Sequence, residues 1–411
     1  AAIGDDALAI APEALAARRI DGKQPAVVCR PPSAEQIATA LKICSEARAA
    51  VAPWGGGTAM AIGNPPRQID VVLETTRLDR VIDHDHANLT VTAQSGVTLR
   101  SLQARLALKN QFAPVDPPFP DRATLGGIVA ANLNGARRSS YGSVRDLVIG
   151  MKIALIDGTQ IKTGGKVVKN VAGYDMSKLF AGSLGTLGVI TELTLRLAPL
   201  AESAATLLAS GTLEQCHRLN TALFRSTLLP ASVFLSNDGE ADRWRLAVWC
   251  EGFPETTARH LRDLKDLAAT VGADAEIWEG ESHEAFWRER GDFPLQANRL
   301  VFRVSVPRAT IFQVVPLIHA WGGAAISCDA TAGTLWIACD AKKSLASRFA
   351  ELTALAQAQG GHTVIFAAPA ELKRGLEVWG PTPAAFVLMR EIKHRFDPDG
   401  LLNPGRFVGG L

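Results

Sequence analysis

Gly164 to Ile190 reads GGKVVKNVAGYDMSKLFAGSLGTLGVI. Glycines, small hydroxyls and the pair Lys169-Asn170 are packed into one segment that ends on strand-forming residues, Val189 and Ile190. Without Cβ atoms a main chain can approach another surface closely, and its successive N–H groups suit an anion. Such a backbone can lie directly against a large planar ligand and its phosphates.

Working outward, residues 151–163 predict a hairpin turning on Asp157-Gly158, and Val189 to Leu197 a strand closed by Pro199. Upstream, residues 26–53 read strand, turn, helix, strand: Val27-Val28, the breaker Pro31-Pro32, then Ser33 as N-cap with Gln36 completing a capping box. Ile37, Leu41 and Cys44 recur at helical spacing before Val51-Ala52-Pro53. There follows Trp54-Gly55-Gly56-Gly57-Thr58-Ala59-Met60, a second run of exposed N–H groups. It leads into Ala61-Ile62-Gly63-Asn64-Pro65-Pro66, which cannot open a helix. The dinucleotide fingerprint G-x-G-x-x-G and the P-loop both need one, so both are excluded. By itself the GGGT run reads equally well as a tight turn.

Ile69 to Leu73 and Leu89 to Ala93 predict strands, and Thr98 caps a helix carrying Leu99, Leu102 and Leu106. Asp83-His84-Asp85-His86, with no third ligand at a suitable spacing, reads as a solvated bend rather than a metal site. Thr124-Leu125-Gly126-Gly127 with Ala130, Ala131 and Gly135 presents tiny side chains. They admit a flat cofactor or close helix packing alike. Arg137, Arg138 and Arg145 could pair with phosphate, with Asp146 or with water. Beyond residue 200 the glycine motifs stop. Trp244–Trp249 and Leu300–Val304 predict strands, and Leu261, Leu264, Leu267 and Ala268 a helix, so residues 201–370 read as a separate α+β domain. In the tail Thr382 caps a helix with Pro383 at its first position. Ala385, Leu388, Met389, Ile392 and Phe396 form its expected buried stripe, with Arg390, Lys393 and His394 elsewhere on the wheel. Asp397-Pro398 ends it and Asp399-Gly400 turns the chain into Asn403-Pro404-Gly405-Arg406.

The 411 residues suggest two domains and a returning tail. A net charge of +2 leaves no footprint for nucleic acid or an acidic membrane, and no apolar run is long enough to span a bilayer. The opening AAIGDDALAIAPEALAARR carries acid where an export signal carries base, and it lacks an initiator Met. The expectation is an unexported chain with a processed or trimmed start. The six cysteines (Cys29, Cys44, Cys216, Cys250, Cys328, Cys339) include no close pair. That spacing excludes iron–sulfur and zinc motifs and predicts small apolar residues in a reducing compartment.

The blocks PWGGGT, QSGV, TLGG, GSVRD, KNVAGYD, SLGTLGVIT and DPDGLLNPGR, in this order, resemble the vanillyl-alcohol oxidase superfamily with its PCMH-type FAD-binding domain. GARRSSYGSVRDLVIG and the opening stretch are most similar to the FAD-binding E-subunit family of bacterial glycolate oxidase (glycolate dehydrogenase). The resemblance implies an α+β fold: a PCMH-type domain of two α+β subdomains over 1–200, a smaller α+β cap domain with an antiparallel sheet over 201–375, and a C-terminal helix and NPGR turn over 376–411 returning to the FAD site. It implies that Gly55, Gly56, Gly57 and Thr58 contact the FAD pyrophosphate, with Thr124, Gly126 and Gly127 opposite. Gly185, Gly188, Val189 and Ile190 would line the flavin or adenine, with Asn403 near the isoalloxazine ring. The same carry-over adds Pro53, Trp54, Ala59, Met60, Pro117, Leu125, Ala130, Asn132, Gly135, Arg137, Ser139, Tyr141 and Gly142. Many relatives attach flavin through a His in the first loop. This loop has none, so the expected FAD is non-covalent.

Two departures matter. Catalytic 2-hydroxyacid relatives carry SEGTLG, where this chain has Ser183-Leu184-Gly185-Thr186. They also carry an H-x-GDGN-x-H metal cluster, whose nearest counterpart is Gly360-Gly361-His362-Thr363-Val364-Ile365-Phe366. The sequence therefore offers no metal site and no named catalytic base. His362, His394, Tyr174 and Glu377 are candidates that read more simply as structural, and Lys169 or Arg137 could stabilise reduced flavin. The implied function is the FAD-binding subunit of a glycolate dehydrogenase complex, acting on glycolate or a related 2-hydroxy acid. Its implied partners are a paralogous FAD-containing catalytic subunit and an iron–sulfur subunit. The implied location is cytoplasmic, at most peripheral at the inner membrane through those partners. Two alternatives stand: a self-sufficient D-lactate or 2-hydroxyacid dehydrogenase using His362, His394 and Arg390, and a non-catalytic structural flavoprotein subunit.

Overall fold

A computed structural model describes residues 3–165, 174–238, 242–295, 299–340 and 345–411. Lys169, and with it residues 169–173 of the KNVAGYD block, lies outside the described residues. The chain divides into two units, one of residues 1–134, 143–199 and 369–411, the other of 135–142 and 200–368.

In the first unit, Ser33 accepts a hydrogen bond from Gln36 N at 3.2 Å and starts the helix Ala34–Glu46. The reciprocal half of the expected capping box is absent, since Gln36 Oε1 is buried without a partner. The helix buries Ile37, Leu41 and Cys44, as the periodicity predicts. Two sheets follow from the strand pattern. One runs Leu8–Ala9, Val27–Cys29, Val71–Glu74, Val51–Trp54, its last three strands parallel. The other is antiparallel, in the order Val81–Asp85, Thr90–Gln94, Val189–Arg196, Val148–Ala154, Gln160–Gly164. The expected hairpin is its last pair. Asp83, His84 and Asp85 are not in a bend but on the edge strand, where His84 Nε2 lies 2.9 Å from Gln111 Oε1. Polar residues are compatible with an edge strand because one side of its ladder faces solvent, and they discourage further pairing.

Ile37, Leu41, Val51, Leu73, Ala154, Val189, Leu401 and Leu402 meet in one core. Burying each Ile, Leu or Val of this set is worth about 1.5–3 kcal/mol, so the cluster ties the helix, both sheets and the C-terminal turn together. Hydrogen bonds from Val51 N to Leu401 O and from Asn403 N to Val51 O, each 2.8 Å, extend the parallel sheet with the tail.

The C-terminal helix departs from its sequence reading. It begins at Phe386 after a turn at Ala384-Ala385, so that Thr382 and Pro383 lie ahead of it rather than capping it, and runs to Phe396. Leu388 is 61% exposed, and Lys393 is the helix's buried residue. Lys393 Nζ donates to Thr186 O, Leu402 O and Asp397 Oδ2. An ammonium can be buried when its three N–H bonds are all taken, and that anchor outweighs the apolar periodicity.

The second unit is an eight-stranded antiparallel sheet. Its order is Asp274–Glu279, Ser203–Gly211, Trp244–Gly252, Ser232–Asn237, Ala325–Asp329, Thr334–Cys339, Leu300–Ser305, His362–Ala367. Helices Leu213–Arg225, Pro254–Thr270 and Leu345–Ala358 pack against it, with Phe302 stacked on Phe349. Strand alternation sends Arg303 to the other face. There Phe234, Trp249, Phe286 and Trp287 cluster with Ala136. All six cysteines are buried and free.

Candidate cofactor site

The strand Val51–Trp54 delivers the chain into Gly55-Gly56-Gly57, which lies tightly against residues 122–124. A Cβ on Gly55 would sit 2.1 Å from Thr124 Oγ1, and one on Gly56 1.6 Å from Arg122 O. Gly57 has φ +72°, which few side chains tolerate. The glycines are therefore demanded by the fold, and they leave main-chain groups as the lining. Thr124 N-caps the short helix Leu125–Ala130. Its two glycines divide the alternatives left open by the sequence. A Cβ on Gly126 would meet the Ser95 Cβ at 2.8 Å, so this glycine serves close packing, whereas one on Gly127 would meet only Thr124 Oγ1, at 3.2 Å, and Gly127 lines a recess.

The loop after Ala181 completes the site. Gly182 N and Leu184 N donate to Val129 O and Ala130 O at 2.9 and 2.8 Å. Leu184 has φ +52°, and its carbonyl accepts from Asn403 Nδ2 at 2.6 Å. Pro53, Gly55 to Met60, Thr124, Gly127, Ala130, Ala131, Leu184, Asn403 and Arg406 line one narrow recess of about 60 Å³. The glycine loop also forms a wall of an outer cleft of about 780 Å³ that includes Trp54, Val97, Thr98 and Arg122, within the range of cofactor pockets. Arg18 stacks on Trp54 at 5.2 Å and pairs with Glu74 at 3.0 Å. Burial pushes the Glu74 carboxyl up, but hydrogen bonds from Thr76, Arg18 and Arg30 outweigh it and hold it below the usual range.

The other expected contacts are placed differently. Gly188 packs on the sheet, where a Cβ would meet Ile153 Cγ2 at 2.6 Å, and Val189 and Ile190 are buried strand residues. Gly185, with φ +70°, fits against Pro53. Leu125 is core, and neither Pro117 nor Asn132 lines the recess or the cleft. Gly135, Arg137, Ser139, Tyr141 and Gly142 belong to the second unit. There Tyr141 donates to Glu251 at 2.6 Å, Ser139 to Thr331 at 2.6 Å, and Arg137 lies over Trp249 at 4.8 Å.

Sequence reasoning missed Arg406. It is 2% exposed, bonds to Met60 O and Ile62 O, and lies 3.7 Å from Asp21. Burial lowers its pKa to about 10. Lys373 is buried too, held by Asp21 at 2.9 Å and Ala61 O at 2.6 Å. A lone base in an NPGR turn was the available signal for Arg406, but its partners are hundreds of residues away. Of the candidate bases, Glu377 is engaged by Asn64 Nδ2 at 3.0 Å and Trp379 N at 3.2 Å, Tyr174 is 92% exposed, and His394 is exposed. Burial and then Arg303 lower the His362 pKa. Among the described residues no three His, Cys, Asp or Glu side chains are grouped to hold a metal.

A cradle without Cβ atoms, an adjoining cleft of cofactor size and a buried Asn403 Oδ1 without a partner together fit a phosphate-bearing planar cofactor. Comparison with known proteins agrees. Residues 25–164 match the FAD binding domain, and residues 379–407 the C-terminal domain of FAD linked oxidases. Glycolate oxidase subunit GlcE of Escherichia coli is 30% identical, covering 80% of this chain and 85% of that protein. Glycolate oxidase subunit GlcD of Bacillus subtilis is 40% identical over 45% of this chain, which spans only 39% of that relative's length. A D-lactate dehydrogenase of Archaeoglobus fulgidus is 27% identical over 94% of this chain and 92% of its own. In fold, the chain superposes on p-cresol methylhydroxylase with TM-score 0.74 and 16% identity, covering 98% of this chain and 94% of that one. With alkyldihydroxyacetonephosphate synthase the TM-score is 0.73 at 16% identity, covering 98% and 84%.

Proposed function

The chain belongs to the family of FAD-linked oxidases, and from that premise we propose that it is a flavin-holding subunit of a glycolate dehydrogenase. In this reading it binds FAD non-covalently and works with a paralogous catalytic flavoprotein and an iron–sulfur subunit. Bound FAD supplies a hydride acceptor for a CH–OH donor. The residues of the first unit hold and shield it: Gly55 to Thr58 offer backbone donors, Leu184 and Ala130 wall the recess, and Asn403 bridges the two loops through Leu184 O.

Leu184 carries the reading. The catalytic 2-hydroxyacid relatives place Glu in this turn, and here an apolar side chain lines the recess instead. The similarity to a GlcE subunit over most of both chains supports the same assignment. No helix among the described residues is long and apolar enough to cross a membrane. The proposed place, beside the partners in the cytoplasm, comes with the subunit reading.

The test is the visible spectrum of the isolated chain before and after anaerobic glycolate and D-lactate. Flavin that stays oxidised alone, and is reduced by glycolate once the partners are added, is the expected result. Bleaching in isolation refutes the subunit reading and favours a self-sufficient dehydrogenase, which the end-to-end similarity to a D-lactate dehydrogenase keeps in view.

A further inference from the structure

The second unit carries a row of polar side chains that its own fold leaves unsatisfied. In the register of the eight-stranded sheet Arg303 stands opposite Trp336, and Trp336 opposite Ser327. Cross-strand partners share a face about 5 Å apart, so the row crosses three adjacent strands on one side of the sheet. Each member has a shielded polar atom without a hydrogen-bond partner: Arg303 Nε, Trp336 Nε1 and Ser327 Oγ. Buried polar atoms are almost always paired, and each unpaired one costs about 1–3 kcal/mol. Apolar side chains at these positions would avoid that cost.

The surroundings favour an anion. The Arg303 guanidinium lies over Phe366 at 5.4 Å, and among the described residues no carboxylate pairs with it. Phe234 stacks with Trp336 at 6.3 Å. Arg138, on the short helix Arg138–Tyr141, is near enough for its charge to act on Arg303, whose pKa burial and that charge lower to about 10. Asp329 is the acid that feels Arg138, but it is engaged by Thr331 N at 2.9 Å and Ala332 N at 3.1 Å. An arginine fork matches a carboxylate, while an indole N–H and a serine hydroxyl match a neighbouring oxygen.

We propose that Arg303, Trp336 and Ser327 bind the carboxylate and adjacent oxygen of a small 2-hydroxy or 2-oxo acid. The acid class rests on the reading of the chain as a 2-hydroxyacid dehydrogenase subunit, whereas the donor row stands on the register alone. The site gives the chain a binding function for the acid even with Leu184 in its flavin recess.

Calorimetric titration of the full FAD-loaded chain tests this, with oxalate as the unreactive probe, glycolate as the second ligand and inorganic phosphate as the control anion. Oxalate is expected to bind one per chain, and phosphate at least about tenfold more weakly. Arg303→Gln should weaken oxalate by roughly tenfold to a hundredfold, the scale of a lost charged hydrogen bond. Trp336→Phe keeps the ring and removes one donor, so it should cost about threefold to tenfold with the flavin spectrum and thermal midpoint unchanged. A parent chain that ignores millimolar oxalate, phosphate binding as tightly as oxalate, or a Trp336→Phe chain that binds like the parent overturns the proposal. An FAD-replete chain that supports glycolate oxidation with its partners but binds no acid defeats the row alone. Arg303-dependent binding in a chain that restores no oxidation defeats the subunit reading and leaves the row.

Discussion

Replacing Lys393 with Met isolates the anchor that joins the tail to the flavin recess. Lys393 Nζ donates to Thr186 O at 2.8 Å, Leu402 O at 2.9 Å and Asp397 Oδ2 at 2.5 Å. The two side chains are 8% and 0% exposed. Asp397 also accepts from Leu401 N at 2.9 Å and Leu402 N at 2.8 Å. Met keeps the length and apolar packing of the stem, so the change removes one ammonium and three hydrogen bonds. Breaking a buried ion pair from one side costs about 3–5 kcal/mol. Two effects put the loss near the lower end, about 3 kcal/mol. Burial already lowers the Lys393 pKa against the pull of Asp397, and the aspartate keeps two backbone donors. With an unfolding entropy of ~2.1 cal/mol/K per residue over a unit of roughly 230 residues, this amounts to about 6 °C in the thermal midpoint. Thr186 belongs to the loop that carries Leu184, and Leu402 adjoins Asn403, so FAD retention should fall with stability. The assay is thermal unfolding followed by flavin fluorescence and far-ultraviolet circular dichroism, with FAD retention measured after dialysis. Lys393→Met/Asp397→Asn should recover part of the loss, because no unpaired charge remains buried. A single variant that melts within a degree of the parent with full FAD, or a double variant no better than the single, refutes the anchor.

Two further outcomes follow from the same geometry. Gly56→Ala forces a Cβ to within 1.6 Å of Arg122 O. Moving that backbone costs about 1–3 kcal/mol, so FAD affinity should drop roughly tenfold or more while the second unit folds normally. A stoichiometric flavin-to-protein absorbance ratio after dialysis would contradict it. The second prediction concerns pH. In the second unit His283 is held neutral, its pKa lowered to about 4 by burial and then by Arg137. Its folded value lies below the unfolded one, so stability falls on acidification from 6.5 towards 4. Asp329 is pushed up to about 6 by burial, against hydrogen bonds from Thr331 and Ala332. It takes its proton first in the folded state, so stability rises as pH falls from 6 towards 3.8. The two effects oppose each other between pH 6 and 4. Asp329→Asn should therefore steepen the acid loss by up to about 1.4 kcal/mol per pH unit, read from urea midpoints. An unchanged slope would refute that balance.

The local syntax of the chain was legible because it depends on neighbouring residues. Ser33 and Thr98 cap the helices expected of them, Asp157-Gly158 turns its hairpin, and the glycine loop follows its strand. The ordered blocks, read together, pointed to an FAD-binding α+β fold, in which phosphate recognition relies on main-chain donors and missing side chains. Side-chain identity could not reveal which of two adjacent glycines packs and which lines a recess. Gly126 packs on Ser95 and Gly127 lines the recess only once the turn that follows the strand Thr90–Gln94 has been placed beside them. The tail helix shows the same limit. Periodicity put Leu388 inside and Lys393 elsewhere on the wheel, but three acceptors contributed by Thr186, Asp397 and Leu402 reverse the choice. The row of Arg303, Trp336 and Ser327 exists only through strand register, since its members are separated along the chain and their donors align across the sheet. Sequence by itself determined the chemistry that each segment can offer, whereas tertiary structure decided which offers are met within the fold and which remain open to a ligand. Burial makes an unmet hydrogen bond costly, and burial is set by the whole fold.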